Sequence, residues 1–101
     1  MVGGEGLIKI TTTFRSLDYG TNSGTLLIST KKVPGARAYS VRYAVMNGVQ
    51  PGPWTTVTVP TVQKALTLSS LTPGTTYGFQ VQALGALGYS DWSTTETIMC
   101  I

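Results

Sequence analysis

The chain has 101 residues, 42% hydrophobic and only 11% charged, a balance that predicts one domain with a sizeable core and excludes intrinsic disorder. Seven Lys and Arg against four Asp and Glu leave a net charge of +3, too thin a basic stripe for a nucleic-acid binder. One cysteine and no histidine exclude an intrachain disulfide, a Ser-His-Asp triad, a Cys-His pair and a zinc ligand set.

Thr, Val and Tyr runs separated by Gly, Pro, Asn and Ser predict many short strands, and no stretch sustains the apolar spacing of a helix. LIKITTTF, residues 7–14, is the first predicted strand, with Ile8, Ile10 and Phe14 on one face. SLDYGTNSG, 16–24, reads as a long loop, because Asp, Gly and Asn tolerate the left-handed backbone. TLLIST, 25–30, is the second strand, with Leu26, Ile28 and Thr30 on one face. KKVPGARA, 31–38, is a loop around Pro34-Gly35. YSVRYAV, 39–45, alternates: Tyr39, Val41, Tyr43 and Val45 point one way, Ser40, Arg42 and Ala44 the other. MNGVQPGP, 46–53, is a loop containing the turn-forming pairs Asn47-Gly48 and Pro51-Gly52. WTTVTV, 54–59, is a strand stopped by Pro60, and ALTLSSL, 65–71, turns Leu66 and Leu68 inward. TYGFQVQAL, 76–84, places Tyr77, Phe79, Val81 and Ala83 on one face and Gly78, Gln80 and Gln82 on the other. WSTTETIMCI is a final strand starting near Trp92. Seven strands at this spacing predict an all-β, antiparallel immunoglobulin-like sandwich of two sheets spanning residues 1–101.

In LTPGTTY, Leu71 closes one strand, Pro73-Gly74 turns the corner, and Tyr77 begins the next. VPGARAYSVRYA leads a Pro-Gly-Ala loop into the third strand, and GYSDWS has a Gly-x-Ser-x-Trp-Ser pattern ahead of the last. With these motifs the chain resembles a fibronectin type III domain, best over residues 25–97, with 1–24 supplying the first strand and long loop. The resemblance implies a tyrosine corner, in which the Tyr77 hydroxyl bonds a backbone group slightly upstream. The Pro-Gly-Ala loop and the Gly-Ala-x-Gly connection are similar in style to bacterial members. One departure stands out. The family's core Trp at the end of the second strand falls on Thr30 here, and a Trp buries about 150–250 Å². Trp54 and Phe14 are the candidates to fill that volume. YSDWS is also similar to the Trp-Ser-x-Trp-Ser box of cytokine receptors, whose tryptophans stack with arginines of a neighbouring strand. Tyr89 replaces the first Trp and the matching strand offers Gln80 and Gln82, so the receptor reading is rejected. No Arg-Gly-Asp motif is present.

No catalytic residue, metal site or cofactor is expected. The acids Glu5, Asp18, Asp91 and Glu96 lie in separate segments. The odd spacing of Asp91 and Glu96 puts them on opposite faces of a strand, against a paired-carboxylate site. There is no Asp-x-Asp run for calcium, and no helix follows Gly85 and Gly88 to make a phosphate loop.

In a sandwich of this topology the loops 31–38, 60–64 and 84–91 share one end. Lys31, Lys32, Arg37 and Lys64 then cluster there with Tyr89, and with Trp92 close by. This basic pole is the candidate partner-binding site, for an acidic protein or an anionic polysaccharide; the plain alternative is solvating lysines and rim-covering aromatics. A rival is a flat sugar platform of Arg42, Gln80 and Gln82 with Trp54 or Tyr19. The resemblance implies a non-catalytic spacer or interaction module of a larger extracellular or cell-surface protein. The alternatives are an accessory carbohydrate-binding module of a polysaccharide-degrading enzyme and a virion or tail decoration domain. No window of 18 apolar residues exists, so no membrane insertion is expected. The start, MVGGEGLIKI, lacks the pattern of a signal peptide, which suits both a cytosolic chain and a fragment of a secreted one. The chain is expected to be a monomer, with strand exchange through its first run as the main risk. Cys100 reads as a buried or frayed bystander, or as a thiol joining two chains.

Overall fold

A computed structural model describes residues 13–60, 64–86 and 88–101. These form nine β segments: β1 (Phe14–Tyr19), β2 (Leu26–Thr30), β3 (Ala38–Asn47), β4 (Gln50–Pro51), β5 (Thr55–Val59), β6 (Leu66–Leu68), β7 (Thr76–Gly85), β8 (Gly88–Tyr89) and β9 (Glu96–Met99). One sheet has the order β1-β2-β6. In the other, β3 and β7 pair centrally, β4 and β5 follow one another along the free edge of β3, and β8 and β9 along the free edge of β7. All pairings are antiparallel. The predicted sandwich is therefore present. Its seven strands become nine segments because two edge strands are interrupted.

Alternation selects the core. Along β2, Leu26, Ile28 and Thr30 are buried while Leu27 and Ser29 are only partly so, as a strand with one inward face requires. Tyr77, Phe79, Val81 and Ala83 of β7 are all buried, and they cluster with Tyr39 and Val41 of β3. Fully burying a side chain such as Phe79, whose exposure is 0%, contributes about 1.5–3 kcal/mol. Cys100 is also buried, in the same cluster. The outward face of β3 departs from expectation: Ser40 and Ala44 are buried and Arg42 is half-buried, with the Trp54 and Trp92 rings, from the connections between edge segments, against Arg42.

The missing tryptophan is replaced by Phe14. Phe14 pairs with Thr30 across β1 and β2, and its ring meets Phe79 edge-on at 6.4 Å between centroids. Trp54, the other candidate, is absent from the core cluster.

Three expected boundaries move. The predicted first run at 7–12 lies outside the described residues. The expected loop from Ser16 is instead β1 as far as Tyr19, paired from Ser16↔Ser29 to Tyr19↔Leu26. Ladder pairing with a buried neighbour outweighs the local turn preference of Ser and Asp. The turn proper begins at Gly20, whose amide bonds the Thr25 carbonyl at 2.8 Å. At the far side of that turn Gly24 has φ +81°, and a Cβ there would lie 2.7 Å from the Leu71 carbonyl oxygen, so no other residue fits. The expected 46–53 loop is mostly hairpin: β3 continues through Asn47, and Asn47 pairs with Gln50. Gly48 has φ +62° and Val49 no positive φ, the pattern of a type II′ turn. Finally, the last strand begins at Glu96 rather than Trp92.

Candidate functional site

Two buried tyrosines hold loops to the sandwich. The Tyr77 hydroxyl accepts from the Thr72 amide at 2.9 Å, so the predicted corner is formed, with Pro73 and Gly74 (φ +85°) making its turn. Leu71 packs partly buried against the core, and its amide bonds the Gly24 carbonyl at 2.9 Å. A second corner was not anticipated. The Tyr39 hydroxyl accepts from the Val33 amide at 2.8 Å. Its signal was in the sequence, since Pro34-Gly35 precedes Tyr39 much as Pro73-Gly74 precedes Tyr77. The second corner anchors the loop that carries Lys31, Lys32 and Arg37.

The strand registers bring the predicted pole together. Ala38 pairs with Leu84, Tyr39 with Val59, Ile28 with Leu66 and Leu84 with Tyr89. The strand ends that lead to Lys31, Lys32, Arg37, Lys64 and Tyr89 therefore lie at one end of the sandwich. The Arg37 amide bonds the Leu84 carbonyl at 2.7 Å, which ties two of these loops directly. All five side chains are exposed, Tyr89 by 58%. Sequence reasoning missed one member. Arg15 is exposed at a bulge between Phe14 and Ser16, and the adjacent Thr13 carbonyl accepts from the Lys31 amide at 3.1 Å. A bulge leaves its residue unpaired and re-aims it, a feature that alternation alone cannot reveal.

The outer face of the large sheet holds a different constellation. The Arg42 guanidinium carbon lies 4.5 Å from the Trp54 ring centroid and 4.2 Å from that of Trp92. Arg42 Nε also donates to Gln80 Oε1 at 2.8 Å, and Gln80 Nε2 donates to Thr95 Oγ1 at 2.8 Å. Residues 90–95 arch away from β7, and two serines make up the lost ladder. Ser90 Oγ accepts from the Ala83 amide and Ser93 Oγ from the Val81 amide, each at 3.0 Å. The Ser90 and Ser93 amides donate back to Ala83 and Val81, each at 2.8 Å. This arch carries Trp92 over Arg42. The receptor-like box still has Tyr89 in place of its first Trp, and its matching strand offers Gln80 and Gln82. The arginine comes instead from β3, and the second indole comes from Trp54, between β4 and β5.

Of the rival sugar platform, Arg42, Gln80 and Trp54 do meet, and Trp92 joins them; Tyr19, the alternative aromatic, belongs to the other sheet, where its hydroxyl donates to the Met99 carbonyl at 2.9 Å. Each indole gives one face to the guanidinium. The amides of Gln80 and Gln82 are already bonded, the latter to the Ser90 carbonyl at 3.1 Å. Among the described residues, no three His, Cys, Asp or Glu side chains gather as metal ligands would.

Comparison with known proteins places this geometry. The family model described as fibronectin type III domain matches residues 13–98. The fold is similar to the fn3 domain of human collagen alpha-1(XX) chain, with 26% identity, a TM-score of 0.75, and coverage of 96% of this chain and 90% of that one. It is also similar to the FN1–FN3 domains of chicken CNTN1, at 24% identity and TM-score 0.70, covering 88% of this chain but 31% of that one. An Fn3-like protein from Clostridium thermocellum matches at 22% identity and TM-score 0.64, over 86% of this chain and 91% of that one. No curated protein matches the sequence.

Proposed function

Because the chain belongs to the fibronectin type III family, we propose that it serves as a non-catalytic interaction module of a larger extracellular or cell-surface protein. Its contact surface is the basic pole, and its partner is an acidic protein surface or an anionic polysaccharide. The observation that carries this reading is the distribution of charge. The chain has seven Lys and Arg; Arg15, Lys31, Lys32, Arg37 and Lys64 belong to one end, and Arg42 is engaged in the tryptophan stack. Loops on a rigid scaffold are where binding groups concentrate, and a one-signed cluster raises the local concentration of opposite charge. Tyr89 adds a large, rigid contact surface among small neighbours, a composition suited to recognition. The module acts as a monomer, with no cofactor.

The test is a titration of the native domain and a Lys31→Ser, Lys32→Ser, Arg37→Ser, Lys64→Ser variant against anionic and neutral polysaccharides and an acidic protein. Exposed ion pairs are worth about 0.2–1 kcal/mol each, so loss of four weakens binding by roughly fourfold to several hundredfold. Native binding should also weaken with salt, because exposed charges are screened. Equal binding by both forms would refute the pole as the contact surface. Binding to neither class of ligand would leave a passive spacer.

A further inference from the structure

We propose that Asn47 is a site of spontaneous chemical modification, converting to aspartate and isoaspartate through a cyclic imide formed with the Gly48 amide. Four features of the β3–β4 hairpin carry this. Asn47 and Gly48 are both exposed. Gly48 sits at φ +62°, and nothing lies within 4 Å of where a Cβ would be, so it has no side chain to hinder attack by its amide nitrogen, and there is open space on that side of its Cα. The ladder pairs Asn47 with Gln50 across the turn, which places the Gly48 amide outside it. The hairpin is also held weakly. β4 has two residues, both exposed, and Val49 at the tip is 86% exposed.

The step balances without a co-reactant other than water. The deprotonated Gly48 nitrogen attacks the Asn47 side-chain carbon, a C–N bond forms, and the carboxamide nitrogen leaves as ammonia. Water then opens the five-membered ring at either carbonyl. One product is aspartate; the other is isoaspartate, with an extra carbon in the main chain. The extended backbone of Asn47 at the end of β3 holds nitrogen and side chain apart, so attack follows opening of the last hairpin pair. Two ladder pairs and an exposed tip make that opening a low-cost local event. The product carries a new carboxylate, and the isoaspartyl form cannot keep the Asn47↔Gln50 register.

The second asparagine, Asn22, is an internal comparator: it too is exposed but is followed by Ser23, whose Cβ hinders the same attack. Trypsin separates the two, because cleavage after Arg15, Lys31, Arg42 and Lys64 puts Asn22 in 16–31 and Asn47 in 43–64. The native protein would be aged at mildly alkaline pH and body temperature, digested and mass-analysed, with isoaspartate detected by its methyltransferase. Conversion in 43–64 is expected to exceed that in 16–31 by roughly tenfold, because Gly lacks a Cβ. Gly48→Ala should slow it by a similar factor. Since alanine is strained at that φ, Asn47→Gln is the second variant, retaining an amide that must close a six-membered ring; its peptide should stay unconverted. Equal conversion of both native peptides, no isoaspartate in 43–64, or undiminished conversion in Asn47→Gln would each overturn the assignment.

Discussion

Single side chains explain how a sandwich with one cysteine, and so no intrachain disulfide, holds its loops. Tyr77 and Tyr39 each accept one backbone amide from a loop, and both are buried. Replacing either with Phe leaves a backbone donor short of its partner, at a cost of about 1–3 kcal/mol when that donor is buried. The Thr72 side is exposed, so Tyr77→Phe is expected near the low end in urea unfolding. Tyr39→Phe should also speed amide exchange at Val33. Phe14 works by volume. Phe14→Ala is expected to cost about 3–5 kcal/mol, read from the shift of the same urea midpoint. The Tyr77 corner was legible because Pro-Gly ahead of a Tyr at the head of an alternating run is a local pattern. The choice between Phe14 and Trp54 was not, because it depends on Phe14 standing opposite Thr30, a pairing between segments that no local pattern contains.

Among the elements, the interrupted edges do more than the regular strands to shape the surface. Ser90 and Ser93 substitute their hydroxyls for ladder carbonyls, and the arch they stabilise delivers Trp92 to Arg42. Ser93→Ala would leave the Val81 amide without that acceptor, at a cost of about 1–3 kcal/mol. Arg42→Ala removes two cation–π contacts worth about 0.5–1 kcal/mol each at exposed sites, together with the packing of its stem. The chain has two tryptophans, and both flank Arg42, so tryptophan fluorescence, excited selectively over the tyrosines, reports on this stack. Arg42→Ala is expected to red-shift the emission of the folded protein; an unchanged spectrum would mean that the stack does not shield the indoles. The alternating strands β2 and β7 were legible almost to the residue, whereas β3 runs on through Asn47 and buries part of its outward face. The extent of β1 and the split of β8 from β9 were not legible. Asp, Gly and Ser favour turns locally, and only the buried neighbour across the ladder decides otherwise.

At the scale of the molecule the two ends differ in character. Arg15, Lys31, Lys32, Arg37 and Lys64 belong to one, while exposed Val45, Val49, Met99 and Ile101 belong to the other, where β3 ends, β7 begins and β9 ends. The basic pole was legible from strand counting, because alternate loops of an antiparallel sandwich return to the same end; Arg15 escaped because its bulge interrupts the alternation. Since the pole residues are exposed, the Lys31→Ser, Lys32→Ser, Arg37→Ser, Lys64→Ser variant is expected to match native thermal stability, each change lying within about 0.5 kcal/mol. Any loss of binding would then be loss of contact rather than of fold. The central claim, that this end recognises acidic partners through clustered charge, is tested most directly by elution from an immobilised sulfated polysaccharide along a salt gradient. Native protein should be retained and released only as salt rises, with the quadruple variant passing through early. Co-elution of the two forms would contradict the claim.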